Sequence, residues 1–208
     1  MSGPRVSIVT TVYDRVLHLD RCLRAMRHSV YQDFEQIVVS DSPPALTLTA
    51  VQQLVARGGP KVRYLNHAPR ANDWGMTPAW DGVRAAQGEF VCFLSDDNAY
   101  LPDHLGPLVA ALEADPELGF AYSSCQYAGR LVLNVAPPAP SRIDLGQPLF
   151  RRSVLLETFP AGLPFHEFAW DWRMIAALMA KGVRWQHHDA PTFIFRLASY
   201  PKLVGALA

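Results

Sequence analysis

The chain has 208 residues, half of them hydrophobic, with 19 basic and 19 acidic side chains that cancel to a formal charge of zero. That size suits one domain with a real apolar core, and the balance excludes a disordered chain and a broad electrostatic footprint for nucleic acid. Its three cysteines, Cys22, Cys92 and Cys125, stand far apart, which fits free thiols in a reducing compartment and excludes a cysteine-rich zinc site.

Residues 6–12 (VSIVTTV) are short and β-branched and predict a buried first strand. That run is too short for a signal peptide, and no apolar stretch approaches the ~20 residues of a membrane span. The expectation is a cytoplasmic protein with no transmembrane segment and no nucleic-acid partner. Leu17, Leu19, Leu23 and Met26 recur at helical spacing and predict an amphipathic helix ending near residues 28–31. Residues 34–39 give a second strand, 46–56 a helix and 61–65 a third strand. Strand and helix in alternation are the signature of a parallel sheet with right-handed crossovers.

Residues 66–78 form a long polar connection, 77–86 a helix and 90–94 a strand. A helix follows at 105–114, then a strand at 118–123 and an antiparallel pair over 126–135. Four prolines break residues 136–148. A short strand becoming a helix spans 149–157, a helix ending at Lys181-Gly182 spans 168–180, and two last strands occupy 183–187 and 192–195.

The stretch that organises this layout is GEFVCFLSDDN, residues 88–98. An apolar run buried on both faces ends in Asp96, Asp97 and Asn98, and ligands of open α/β sheets bind beyond the carboxyl ends of strands. Adjacent carboxylates there call for a positive partner, and a divalent cation carrying a diphosphate is the natural one, since hard cations prefer oxygen. The plainer alternative is a polar turn capping the next helix. Other candidates fall beside strand ends. Tyr13 could stack on a base, and Asp41 could accept a pyrimidine ring N–H, against an ordinary loop aspartate. Asp171, between Trp170 and Trp172, could be a general base if burial raises its pKa, against an exposed helix-N-terminal acid.

The segments VSIVTTVYDR, DFEQIVVSD, AAQGEFVCFLSDDNAYLPDHL and FAWDW together resemble the GT-A glycosyltransferases of family 2, nearest the spore-coat polysaccharide type. The resemblance covers essentially the whole chain and is strongest over residues 85–105. It implies an α/β GT-A fold: a Rossmann-like, mixed, mainly parallel sheet flanked by helices in a single domain. Residues 1–98 would form the donor half, and 99–208 the acceptor and base half. It implies that Thr11, Tyr13 and Asp41 hold the uracil or thymine of a UDP- or dTDP-sugar, that Asp96 contacts the ribose, and that Asp97 ligates Mn²⁺ or Mg²⁺. Asp171 would deprotonate the acceptor hydroxyl, with inversion at the anomeric carbon. His166, Glu167 and Trp170 would border the acceptor, whose identity, carbohydrate or other, the sequence does not give.

Departures from the pattern are as informative. Pro78-Ala79-Trp80 replaces an expected donor-site arginine, for which Arg70 or Arg84 could substitute, against the plainer reading of each as a solvated arginine. Trp170 replaces the first acid of a Glu-Asp pair. Leu197 and Ala198 follow Arg196 where a histidine is usual, leaving His187 or His188 as alternatives near the metal, against the plainer reading of exposed strand-end histidines. Two further functions compete: a nucleotide-sugar-binding domain that has lost catalysis, and a sugar nucleotidyltransferase. The latter is disfavoured because no glycine-rich phosphate loop follows the first strand.

Overall fold

The structure is a computed structural model that describes residues 3–165 and 169–196. Its described residues form nine strands and six helices. The first part alternates as expected: β1 (Val6–Val12), α1 (Val16–Arg27), β2 (Phe34–Asp41), α2 (Ala45–Arg57), β3 (Val62–His67), α3 (Met76–Ala85) and β4 (Phe90–Phe93). β5 (Ala99–Tyr100), α4 (Leu105–Ala114), β6 (Leu118–Tyr127) and β7 (Arg130–Leu133) follow. β8 (Pro148–Arg151), α5 (Arg152–Thr158), α6 (Trp170–Ala180) and β9 (Arg184–Ile194) complete it.

All strands belong to one sheet in the order β3-β2-β1-β4-β8-β6-β9-β5, with β7 paired to β6. β3, β2, β1 and β4 are parallel neighbours, and so are β6 and β9. β8 lies antiparallel between β4 and β6. The carboxyl ends of β1 to β4, β6 and β9 therefore all open on one edge, the side where such sheets bind ligands.

Alternation along the strands sends side chains to both faces. Val9, Ile37, Val91, Phe93, Phe120 and Phe150 pack with α3, α5 and α6, while Ile8, Phe90, Cys92, Leu149 and Cys125 pack with α1 and α4. Phe93 meets Phe150 and Trp170 edge-on at 6.1 and 6.4 Å, so the helix bearing Asp171 rests on the strand that leads to Asp96. Gly88 lets the turn before β4 lie against β1, because a Cβ there would stand 2.7 Å from the Ser7 nitrogen.

Three sequence expectations change: the strand expected at 118–123 and the first arm of the pair over 126–135 are one strand, β6. The strands expected at 183–187 and 192–195 are one strand, β9, whose pairing to β6 slips between Ser123 and Cys125. The bulge carries the strand through Pro191, as bulges accommodate residues a regular ladder excludes. The third is β5, unmarked by any apolar run. It follows Asn98 because its partner is β9, a long-range pairing with no local signature. α4 begins at Leu105, as expected, and Pro102 lies in the turn before it. No helix among the described residues is long and apolar enough to cross a membrane.

Candidate functional site

A cleft of about 910 Å³ opens at the carboxyl edge of the sheet. β1 delivers Thr11 and Tyr13 to it, and β2 delivers Asp41. The guanidinium of Arg70 lies over the Tyr13 ring, 3.7 Å from its centre. Both oxygens of Asp41 accept backbone N–H groups, from Ala71 at 2.7 Å and Asn72 at 3.0 Å. Asp41 thus anchors the loop over residues 68–75 that forms this wall. Further along it, Trp74 adopts a positive φ of 56° and is 61% exposed beside the cleft. A bulky residue in that backbone region is strained, a pattern concentrated at functional sites.

Asp96 and Asp97 follow β4, and Arg15, just before α1, reaches both. Its Nε donates to Asp96 Oδ2 at 3.2 Å, its Nη2 lies 2.5 Å from Asp96 Oδ1, and its Nη1 donates to Asp97 Oδ2 at 2.7 Å. The Asp96 carboxylate is wholly buried, whereas that of Asp97 is 24% exposed. Burial pushes Asp96 up to about 7 against the pull of Arg15, with the Asp97 charge adding to the rise. Asn98 is a structural tie. Its Oδ1 accepts the Arg196 N–H at 2.9 Å, fastening this loop to the end of β9. The Tyr100 hydroxyl likewise donates to the Phe93 carbonyl at 2.9 Å, and its ring stacks on His104.

These groups fit a hard cation only in part. Asp97 offers carboxylate oxygen, but among the described residues no group of three or more His, Cys, Asp or Glu could hold a metal ion. A cation shared with a diphosphate, whose oxygens complete the shell, matches this donor set; a site built from protein alone does not.

The opposite wall comes from α6 and from the loop before β8. Asp171 lines the cleft in the first turn of α6, its Oδ1 accepting the Trp172 N–H at 2.7 Å. Burial raises its pKa above the ordinary carboxylate value. Asp144 faces the same space and is pushed up to about 6, first by burial and then by Asp171 and Asp97. The loop beneath it is pinned. Asp144 N–H donates to Gln147 Oε1 at 2.7 Å, Gly146 N–H donates to Asp144 Oδ1 at 2.8 Å, and buried Gln147 donates to the Ser123 carbonyl at 2.7 Å.

The structure therefore brings Thr11, Tyr13, Asp41, Trp170 and Asp171 to one cleft, with Asp96 and Asp97 directly behind Arg15. Trp170 is 6% exposed and packs into the core, leaving only an edge at the cleft, whereas its neighbour Trp172 is half-buried there. His166 and Glu167 lie outside the described residues, as do Phe168, Leu197 and Ala198. Arg70 is a cleft residue, while Arg84 donates to the Ala161 carbonyl. His187 sits within reach of Ser124 Oγ at 3.1 Å and stacks on Tyr122.

Sequence reasoning missed Arg15, Trp74 and Asp144. Arg15 had a signal, being the first cation after the strand that ends in Val12-Tyr13-Asp14. Asp144 had none, because its segment reads only as a proline-broken loop.

Comparison with known proteins gives this architecture a family. The model for "Glycosyl transferase family 2" matches residues 7–141. The O-antigen biosynthesis protein RfbC of Myxococcus xanthus is 30% identical over 121 residues, which are 58% of this chain and 9% of that protein. A GalNAc(5)-diNAcBac-PP-undecaprenol beta-1,3-glucosyltransferase of Campylobacter jejuni is 28% identical over 107 residues, 51% of this chain and 34% of that one. Among solved structures, Staphylococcus aureus TarS in complex with UDP-GlcNAc superposes with a TM-score of 0.74 at 16% identity, covering 92% of this chain and 58% of that chain. The mannosyltransferase PcManGT of Pyrobaculum calidifontis, in complex with GDP-Man and Mn²⁺, gives 0.76 at 22% identity, covering 96% and 58%. The chain thus spans about a third or less of these two curated relatives and under two thirds of these structures. The GT-A fold is shared throughout, and the chain belongs to glycosyl transferase family 2.

Proposed function

We propose that the chain is an inverting glycosyltransferase that moves a sugar from a UDP- or dTDP-sugar to a hydroxyl acceptor. We further propose that it works as one domain, with residues 1–98 serving the donor and 99–208 the acceptor and base. The observation that carries this reading is the single cleft in which Tyr13, Arg70 and Asp41 face Asp171. The names of the relatives suggest polysaccharide assembly as the setting.

Each residue then has a role that its surroundings support. Tyr13, stacked by Arg70, offers an aromatic surface for a planar base, and Thr11 and Asp41 stand beside it. Arg70 supplies a cation at this end of the cleft, while Trp80, in the segment that replaces the expected arginine, is buried edge-on against Phe159. That departure therefore does not strip the donor site of positive charge. Asp96 is buried behind Arg15, so in this scheme it acts on the ribose side only through that arginine, and Asp97 would hold Mn²⁺ or Mg²⁺. When bound, such a cation neutralises charge on the departing nucleoside diphosphate. Asp171 takes the proton of the acceptor hydroxyl as its oxygen bonds to the anomeric carbon and the sugar–phosphate C–O bond breaks, its electron pair leaving with the diphosphate. Burial that raises Asp171 brings its basicity closer to what that proton transfer needs. We assign His166, Glu167 and Trp170 to the acceptor side of this scheme, and add Trp172 because it lines the same cleft.

A thermal-shift panel of UDP, dTDP, GDP, CDP and ADP, each with and without Mn²⁺, tests it. A ligand at ~100 times its dissociation constant stabilises the fold by about 2.7 kcal/mol. Protection by UDP or dTDP that depends on Mn²⁺ is expected. Equal protection by GDP would remove Asp41 and Tyr13 as readers of a pyrimidine, and a flat panel would remove the donor site.

A further inference from the structure

We propose that Asp144 selects the sugar that is transferred: its carboxylate accepts hydroxyl groups of a neutral hexose and turns away a sugar that itself carries a carboxylate. This rests on the donor-and-base reading above. In an inverting displacement the anomeric carbon stands between the leaving diphosphate oxygen and the acceptor oxygen. The transferred ring therefore lies between the diphosphate end of the cleft and the base. Asp97 marks the first side and Asp171 the second. Asp144 lines the cleft and is close enough to both for their charges to bear on it.

The side chain is fixed in place. The Asp144 N–H is held by Gln147 Oε1 at 2.7 Å, Oδ1 accepts the Gly146 N–H at 2.8 Å, and the Gln147 amide is tied to the Ser123 carbonyl at 2.7 Å. Oδ2 receives no N–H or O–H from any described residue, and Asp144 stays partly open to the cleft. A carboxylate oxygen enclosed by protein and left without a donor is costly. Short, charge-assisted bonds from sugar hydroxyls satisfy it. A site with such a fixed acceptor rejects rings that cannot donate to it far more strongly than one built of apolar contacts. The wall also offers an anionic ring no cation. Among the described residues lining the cleft, the basic ones are Arg15 and Arg70, and both come from the opposite wall. A uronic acid here would meet Asp144 and Asp171 together, a like-charge contact with nothing to offset it.

The test is calorimetric titration of the full chain, with Mn²⁺ present throughout, by UDP, UDP-glucose, UDP-galactose and UDP-glucuronic acid. If dTDP is the nucleotide that binds, dTDP, dTDP-glucose and dTDP-glucuronic acid read the same ratio. The wild type should bind a neutral sugar nucleotide roughly tenfold or more tightly than the glucuronic acid compound, the scale of one hydrogen bond to a charged group. Asp144→Ala should lower that ratio about tenfold and leave the Kd of the bare nucleoside diphosphate unchanged. Asp144→Asn, which keeps an oxygen for the Gly146 N–H and loses the charge, should lower it in the same direction, and it decides if the alanine variant folds poorly. An unchanged ratio in the folded variants overturns the proposal, as does a wild type that binds neutral and acidic sugars alike. Affinity for the bare diphosphate that falls as far as affinity for UDP-glucose would make Asp144 a support of the cleft, and overturns it too. Binding of neither UDP nor dTDP strikes the donor reading and this proposal with it, whereas a bound nucleotide with an unchanged ratio strikes this proposal alone.

Discussion

Replacing Asp144 by asparagine should stabilise the protein in neutral and alkaline solution and leave it unchanged in acid. The carboxyl is moved from its ordinary 3.8 to about 6, mainly because burial disfavours its charge, with Asp171 and Asp97 repelling it further. At ~1.4 kcal/mol per pH unit, ionising Asp144 in place costs at most ~3 kcal/mol. Between pH 4 and 6 the folded chain holds a proton that the unfolded chain has released. The group's contribution to stability is therefore full below about pH 4 and is lost as pH rises through about 6. Asparagine retains an oxygen for the Gly146 N–H, so the turn survives while the charge does not. Urea unfolding of wild type and Asp144→Asn at pH 4 and pH 8 reads the difference. The variant should match wild type at pH 4 and exceed it by about 2–3 kcal/mol at pH 8, a melting difference of ~5–10 °C for a chain this long. A difference independent of pH would show that Asp144 is not a buried charge of the cleft wall.

Other consequences can be checked alongside it. Gly146→Ala places a Cβ 2.2 Å from the fully buried Phe193 ring, and should cost about 1–3 kcal/mol in a thermal melt. Asp171→Asn should leave nucleotide binding intact and lower turnover by roughly 10²-fold or more, and wild-type turnover would reassign the base. With Asp171 as base, turnover of the wild type should rise with pH through a value above the ordinary carboxylate range, since the unprotonated form is the active one. Asp41→Ala removes the acceptor for two backbone N–H groups, so deuterium exchange should quicken across residues 68–75 before any global loss of protection. Cys92 and Cys125 are both buried and raised to about 12, and Cys22 is buried too. Thiol reagents should therefore label native protein only at the rate of unfolding.

Local pattern made much of this fold legible. The β-branched run of β1 and the apolar period of α1 are short-range signals, and the strands and helices through β4 fall within a few residues of expectation. What escaped was long-range. β5 exists because β9 lies beside it, and β9 is continuous because a bulge on its pairing with β6 absorbs the awkward residues. The site divides in the same way. Asp41, Asp96 and Asp171 announce themselves as charges at strand or helix ends. Arg15 reads as one arginine among several near α1 until the fold sets it against residues about eighty positions later. Asp144 reads as part of a proline-broken loop until its neighbours bury it. The amide of Asn98 and the ring of Tyr100, which in sequence belong to a ligand motif, act as ties within the protein.

The short strand β8 has a consequence beyond its four residues. Among the described residues it is the strand that joins β4 to β6, through Cys92↔Leu149 on one flank and Ala121↔Leu149 on the other, while β5 ties the loop after Asp97 to β9. Its register works as a ruler for the cleft. A slip of two residues along β8 would keep every side chain on its own face, yet would shift one bank of the cleft by about 7 Å relative to the other. That is longer than a sugar–phosphate linkage. Under the proposed function, the spacing between leaving group and base would be set by a seam outside the cleft, and Leu149, buried at its centre, is where a variant with every cleft residue intact would mismatch the two banks.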